Sequence, residues 1–190
     1  PWRDLDVAGE VGERVGHDVL VENDANAAAW GEYRHGAGRD CTDMLLATIG
    51  TGVGGGCIVD DRLLRGAHGI GGEIGHITID ASGPRCGCGN DGCLEVFASG
   101  SALERSAHEL MATGGAKGAG LRERCGGDPE SLTGQDITEL ARVGDEGAVA
   151  LFTRLGTRLG EGLASVCAVV DPALVVIGGG VADAGGLLLD

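Results

Sequence analysis

An α/β fold is predicted by three features of this sequence. Short β-rich runs alternate with longer stretches of helically spaced apolar residues. Glycine clusters, drawn from 38 glycines in 190 residues, punctuate those runs without any collagen-like period. The apolar content, 43%, comes almost entirely from Ala, Val, Leu and Ile, because only Trp2, Trp30, Tyr33, Phe97 and Phe152 are aromatic.

The elements follow in order. Residues 17–22 (HDVLVE) alternate and are β-rich, which predicts a strand; the polar junction Asn23, Asp24, Asn26 then opens an Ala-rich helix over 25–33. Residues 44–49 predict a second strand and 56–60 a third, joined by the glycines of GTGVGGG as a hairpin-like turn. Leu63 and Leu64 extend the meander, and EIGHITI at 73–79 predicts a further strand. Helices are expected at 99–111, 136–143 and 145–169, with an exposed connection over 113–130, rich in glycine and charge. Residues 173–177 read as a buried strand running into Gly178, Gly179 and Gly180.

Composition narrows function. Fourteen basic residues stand against 29 acidic ones, a formal net charge of −15. A polyanion is not drawn to nucleic acid or to an anionic membrane surface, so neither is expected as a partner. Five aromatics are too few for a single-strand stacking platform. The one lysine, Lys117 in GGAKGAG, lacks the Gly-Lys-Ser/Thr order of a Walker loop, which leaves a P-loop NTPase unsupported. No signal segment is visible, and the longest apolar stretch, 163–177, is broken by Asp171 and Pro172; a cytoplasmic location is expected by default. The length suits one or two domains, and a start at Pro1 without Met and an end at LLLD suggest an internal piece of a longer protein.

The strongest chemical motif is His76, Cys86, Cys88 and Cys93, spaced H-x9-C-x-C-x4-C. One imidazole and three thiolates make a closed tetrahedral set, which suits structural Zn²⁺; disulfide or unpaired cysteines are the weaker alternative without secretory features. Cys41, Cys57, Cys125 and Cys167, and His17, His35, His68 and His108, read as structural. Gly50 to Gly55 match G-x-G-x-x-G, yet a strand pattern follows instead of a helix, which disfavours a dinucleotide site. Such a turn either presents backbone N–H groups and the Thr51 hydroxyl to phosphate oxygens or is merely a tight hairpin. Asp24 stands at a strand-to-helix junction, where a carboxylate either caps the helix or accepts a proton from a substrate hydroxyl. Glu73 and Glu95 flank the metal loop, as exposed carboxylates or as groups that hold sugar hydroxyls.

Taken together, VENDANAAAWGE, LLATIGTGVGGGCIVDDRLLRGAHGIGGEIGH, CGCGNDGCLEVFASG and VVIGGGV resemble the ROK family of sugar kinases and repressors, and within it the bacterial glucokinases. The resemblance implies an actin-like (ribonuclease H-like) sugar kinase fold of two α/β lobes, with residues 1–40 closing the N-terminal lobe and 41–190 forming part of the C-terminal one. It implies Asp24 as the base that deprotonates the primary hydroxyl of glucose, and Asn23, Glu73, His76 and Glu95 as sugar contacts. His76 then works twice, with one ring nitrogen on zinc and the other toward the sugar. Gly50, Thr51 and Gly52 match a phosphate loop and Gly179 and Gly180 an adenosine turn, with Mg²⁺ accompanying ATP. A homodimer or homotetramer is the family's habit. The D-x-G-G-T-like loop that opens family members does not occur before Asp24, so little kinase activity is expected of these residues alone. A sugar-responsive repressor, a kinase for fructose, N-acetylglucosamine or N-acetylmannosamine, and a polyphosphate donor remain alternatives.

Overall fold

The computed structural model describes residues 5–113 and 115–189; Trp2 lies outside the described residues. Four strands form a mixed sheet in the order β3-β2-β1-β4. β1 (Met44–Ile49) and β2 (Val53–Val59) are an antiparallel hairpin in which Ile49 faces Val53. The two-residue β3 (Arg62–Leu63) continues the meander, and β4 (Leu174–Gly178) returns parallel to β1. That parallel return requires a crossover, which the helical region between β3 and β4 supplies.

Successive side chains of a strand point to opposite faces, and each face here has its own core. Met44, Leu46 and Ile58 meet Ala29 and Tyr33 of α2 (Asp24–His35). Leu45, Ala47, Ile49, Val53 and Cys57 join the larger core with α4 (Gly100–Thr113), α6 (Gly134–Arg142) and α7 (Glu146–Val170). Phe152 of α7, 1% exposed, is the largest side chain buried there.

The close approach of α2 follows from glycine. Gly54 and Gly56 face the helix, and a Cβ on Gly56 would lie 2.5 Å from the Ala29 Cβ, while one on Gly54 would lie 3.0 Å from that of Ala25. The turn glycines are therefore fewer than expected: Gly50 to Gly52 turn the chain, and Gly54 to Gly56 are strand.

Several expectations need correction. Residues 17–22 are not a strand; no strand among the described residues lies beside them, so their backbone groups find no ladder and Leu20 is 84% exposed. Residues 73–79 form a 3-10 turn, Ile74–His76, and a lone bridge between Thr78 and Cys93. The left-handed Gly72 and the contact of Gly75 with the Val53 carbonyl bend the chain there before a ladder can run. Residues 113–130 are not merely an exposed connection. They hold a 3-10 turn at Gly115–Gly118 and α5 (Ala119–Arg124), whose Leu121 is fully buried and whose Arg122 donates to the Met111 and Gly115 carbonyls. Three further helices went unforeseen: α1 (Val7–Val15), capped by Asp6 and ended by Gly16, α3 (Glu95–Ala98) and α8 (Gly186–Leu189).

Candidate functional site

The site is built around the first two residues of β2. Ala25 of α2 packs on Gly54, Gly75 packs on the Val53 carbonyl, and Glu95 Oε2 accepts from the Val53 N–H at 3.1 Å. Three segments far apart in sequence thus converge beside the Gly50–Gly52 turn.

At the α2 end, Asn23 rather than Asp24 is the N-cap: its Oδ1 accepts from the Asn26 N–H at 3.0 Å. Asp24 is the first residue of the helix and exposed, with Oδ1 accepting from the Ala25 N–H at 2.9 Å. Capping is therefore done by its neighbour, and the Asp24 carboxylate stays open to solvent at the positive end of the helix dipole. Asn26 is 2% exposed and gives Nδ2 to Glu22 Oε1 at 3.3 Å; among the described residues its Oδ1 has no partner. The Arg65 guanidinium, 2.6 Å from Glu22 Oε2, holds that carboxyl below its ordinary range.

The His76, Cys86, Cys88 and Cys93 ligand atoms all lie within 4.8 Å of one another. His76 Nδ1 is 3.7 Å from Cys86 Sγ, and Cys88 Sγ is 3.6 Å from Cys93 Sγ. Sulfurs held about 2.3 Å from a tetrahedral zinc sit about 3.8 Å apart, so the set fits that ion. Burial pushes the Cys93 thiol up to about 12, whereas the Asn90 backbone N–H pulls the exposed Cys88 thiol down. Three thiols this close ionise together only with a cation among them. Nδ1 is the nitrogen turned toward the sulfurs, which leaves Nε2 on the far side of the ring. Glu95 Oε1 lies 3.9 Å from Cys86 Sγ, so this carboxylate spans the interval between the cysteine cluster and the β1–β2 turn.

A cavity of about 700 Å³ opens on the other side of that turn. It is lined by Gly50 and Thr51, by Gly180, and by α4 and α6 residues that include Glu104, Thr138 and Arg142. Gly179, left-handed, closes against Ile49, where a Cβ would lie 2.7 Å from the backbone nitrogen. The two glycine motifs expected to hold a nucleotide are thus brought to one cleft, with Gly52 turned instead toward Glu95. Glu104 and Arg142 were missed by sequence reasoning. Their only signal was an i, i+3/i+4 polar edge on amphipathic helices, which most surface helices share. Glu73 is exposed and lines a separate, mostly apolar groove of about 400 Å³ with Leu64, Ile70 and Val169.

Among the described residues, no helix is long and apolar enough to cross a membrane. The ROK family model matches residues 1–190. A glucokinase of Streptomyces coelicolor is 41% identical over 189 residues, covering 100% of this chain and 60% of that protein. The crystal structure of a ROK family glucokinase from Streptomyces griseus in complex with glucose and AMPPNP superposes with a TM-score of 0.89 at 45% identity, covering 100% of this chain and 61% of that one. The xylose repressor of Bacillus subtilis is also similar, 36% identical over 176 residues, or 93% of this chain and 41% of the repressor. The chain therefore spans about 60% of the length of the glucokinases it matches. Its mixed sheet and flanking helices are part of the actin-like ATPase fold of those kinases, and the chain belongs to the ROK family.

Proposed function

We propose that this chain is the sugar- and metal-holding part of an ATP-dependent hexose kinase that converts glucose to glucose 6-phosphate. The observation that carries the reading is the convergence on Val53 and Gly54, with an open carboxylate, Asp24, on one side of the β1–β2 turn and the glycine-lined cavity on the other. In this reading residues 1–40 finish one lobe and 41–190 belong to the second. The Streptomyces griseus structure, which holds glucose and AMPPNP, supports a hexose and ATP with Mg²⁺ as the partners.

Asp24 takes the proton of the primary hydroxyl as that oxygen attacks the γ-phosphorus in line; the bond to the bridging oxygen of ADP breaks, and ADP leaves. Gly50, Thr51 and Gly180 hold phosphate and nucleoside, Thr51 by its hydroxyl and the glycines by backbone groups that no Cβ obstructs. Asn23, Glu73, His76 and Glu95 orient the sugar. His76, Cys86, Cys88 and Cys93 would hold Zn²⁺, which with four protein ligands supplies a rigid cross-link and no open position for chemistry. His76 then keeps a fixed ring orientation for its Nε2 side.

A sugar-sensing repressor is the second reading, favoured by the likeness to the Bacillus subtilis xylose repressor. The two separate on one experiment, a screen of phosphoryl donors against hexoses with the full-length protein. The kinase reading expects glucose-dependent ADP release. It also expects Asp24→Asn to lower turnover by roughly 100-fold or more while sugar binding persists, as for loss of a general base. Turnover within a few-fold of wild type in that variant removes Asp24 from its role, and no phosphoryl transfer to any hexose from ATP or polyphosphate favours the repressor.

A further inference from the structure

We propose that Glu22 and Arg65 form a positioning clasp, which fixes the loop leading to Glu73 and His76 against the start of the helix that carries Asp24. The proposal rests on the kinase reading above.

A partly exposed ion pair usually contributes little to stability, and by that measure this one is ordinary: the Arg65 side chain is 53% exposed and that of Glu22 21%. What it connects is not ordinary. Arg65 Nε donates to Glu22 Oε2 at 2.6 Å across 43 residues of sequence. The other oxygen of the same carboxylate accepts the Asn23 N–H at 3.1 Å and Asn26 Nδ2 at 3.3 Å. One carboxylate thus gathers the cap residue of α2, a buried side chain in its first turn, and an arginine from just past the edge strand β3. Asp24 lies between the first two of these in sequence.

The other end of the clasp is equally placed. The Leu64 N–H donates to the Cys57 carbonyl at 2.8 Å, which continues the pairing beside β2. Arg65 comes next, and its carbonyl accepts the Gly71 N–H at 2.9 Å, which closes the loop 65–71 on itself. Within that loop Gly66 and Gly69 are left-handed, as is Gly72 just beyond, and Ile70 is 70% exposed. A glycine-rich loop with an exposed tip has few contacts of its own to fix it. It is tied to β2 by the Leu64 N–H on the Cys57 carbonyl and by the Gly72 backbone against Gly55 and Gly56, and to the start of α2 by the Arg65 guanidinium on Glu22. Removing the guanidinium leaves Glu73 and His76 attached to β2 through backbone packing while their register to Asp24 loosens. Reaction rates are sensitive to such looseness, because a misplacement of about 1 Å can lower turnover by about 100-fold.

The test uses the full-length protein and four variants: Arg65→Ala, Arg65→Lys, Glu22→Gln and the double variant Glu22→Gln/Arg65→Ala. The clasp predicts that Arg65→Ala and Glu22→Gln each lower kcat by roughly 10- to 100-fold, with the KM for ATP within about twofold of wild type. The double variant should lose no more than the worse single one, since both singles break one connection. Arg65→Lys should recover part of the loss, and zinc content and melting temperature should stay near wild type in every variant. A kcat within about twofold of wild type in both single variants, or losses that multiply in the double variant, overturns the clasp. Should Arg65→Ala fail to fold, kcat of Glu22→Gln compared with that of Arg65→Lys decides the same question. Asp24→Asn is measured alongside: if it abolishes turnover while the clasp variants are normal, only the clasp falls; if it turns over normally, the clasp falls with the base it was to position.

Discussion

Asp24 and Asn23 show how much one position changes a residue's chemistry. Both are helix-starting residue types, and residue type alone assigns either to capping. The backbone settles the division, because Asn23 takes the extended conformation of a cap and Asp24 is already helical. The signal in the sequence was the surplus of polar groups at this junction. It revealed that something beyond capping was present, although the part played by Glu22, whose partner lies 43 residues away, has no local signature. The cysteines were legible for the opposite reason: metal ligation demands particular atoms, so spacing alone named the four residues that the fold brings together. At this scale we expect Cys88→Ser to release zinc, measured by elemental analysis of the purified protein. Cys88 is exposed, so the fold should survive the change, and retention of stoichiometric zinc would show that the remaining three residues suffice.

Among the elements, the longer strands and most of the longer helices were foreseen, whereas the short α3, α5 and α8 were not, nor was α1, which is as long as α6. β1, β4, α4, α6 and α7 follow their apolar spacing closely. Residues 17–22 carry a strand's alternation without a neighbouring strand, and 73–79 carry it through two backbone contacts that forbid a ladder; pairing and close approach are tertiary facts that periodicity does not encode. Gly56→Ala should be destabilising by about 1–3 kcal/mol, because its Cβ must displace Ala29 and the backbone of α2. Thermal melting checks this, at about 2–4 °C per kcal/mol for a protein of this size. The α6 N-terminus makes a second prediction. Thr133 and Arg124 hold the Asp136 carboxyl down to about 2 from 3.8, within a capping box. The charged form is thus favoured in the folded state, so this contribution is present above 3.8 and is lost as the pH falls toward 2. Asp136→Asn should flatten the melting temperature across that window relative to wild type; an unchanged acid slope would count against the box.

Over the whole of this chain, the formal charge of −15 acts on any anionic ligand that approaches it. Glu104, Asp183 and Arg142 line the glycine cavity, so the acidic field reaches into it with one arginine in opposition. A polyanion such as ATP approaches against that field, and salt screens repulsion as readily as attraction. On the kinase reading, raising ionic strength from about 0.02 to about 0.2 M should therefore leave the KM for MgATP level or lower it, measured at saturating Mg²⁺; a steep rise would mean that local cations dominate binding. The family could be recognised from the order of motifs and the α/β class from the alternation of strand and helix patterns, whereas the helical cavity wall could not, because α4 and α6 contribute it through side chains typical of any solvated helix. Finally, the two glycines of β2 work as a gauge. At Gly54 and Gly56 the methyls of Ala25 and Ala29 rest on bare strand backbone, so the depth to which the first turns of α2 sink there is dictated by covalent dimensions rather than by the choice of a side chain.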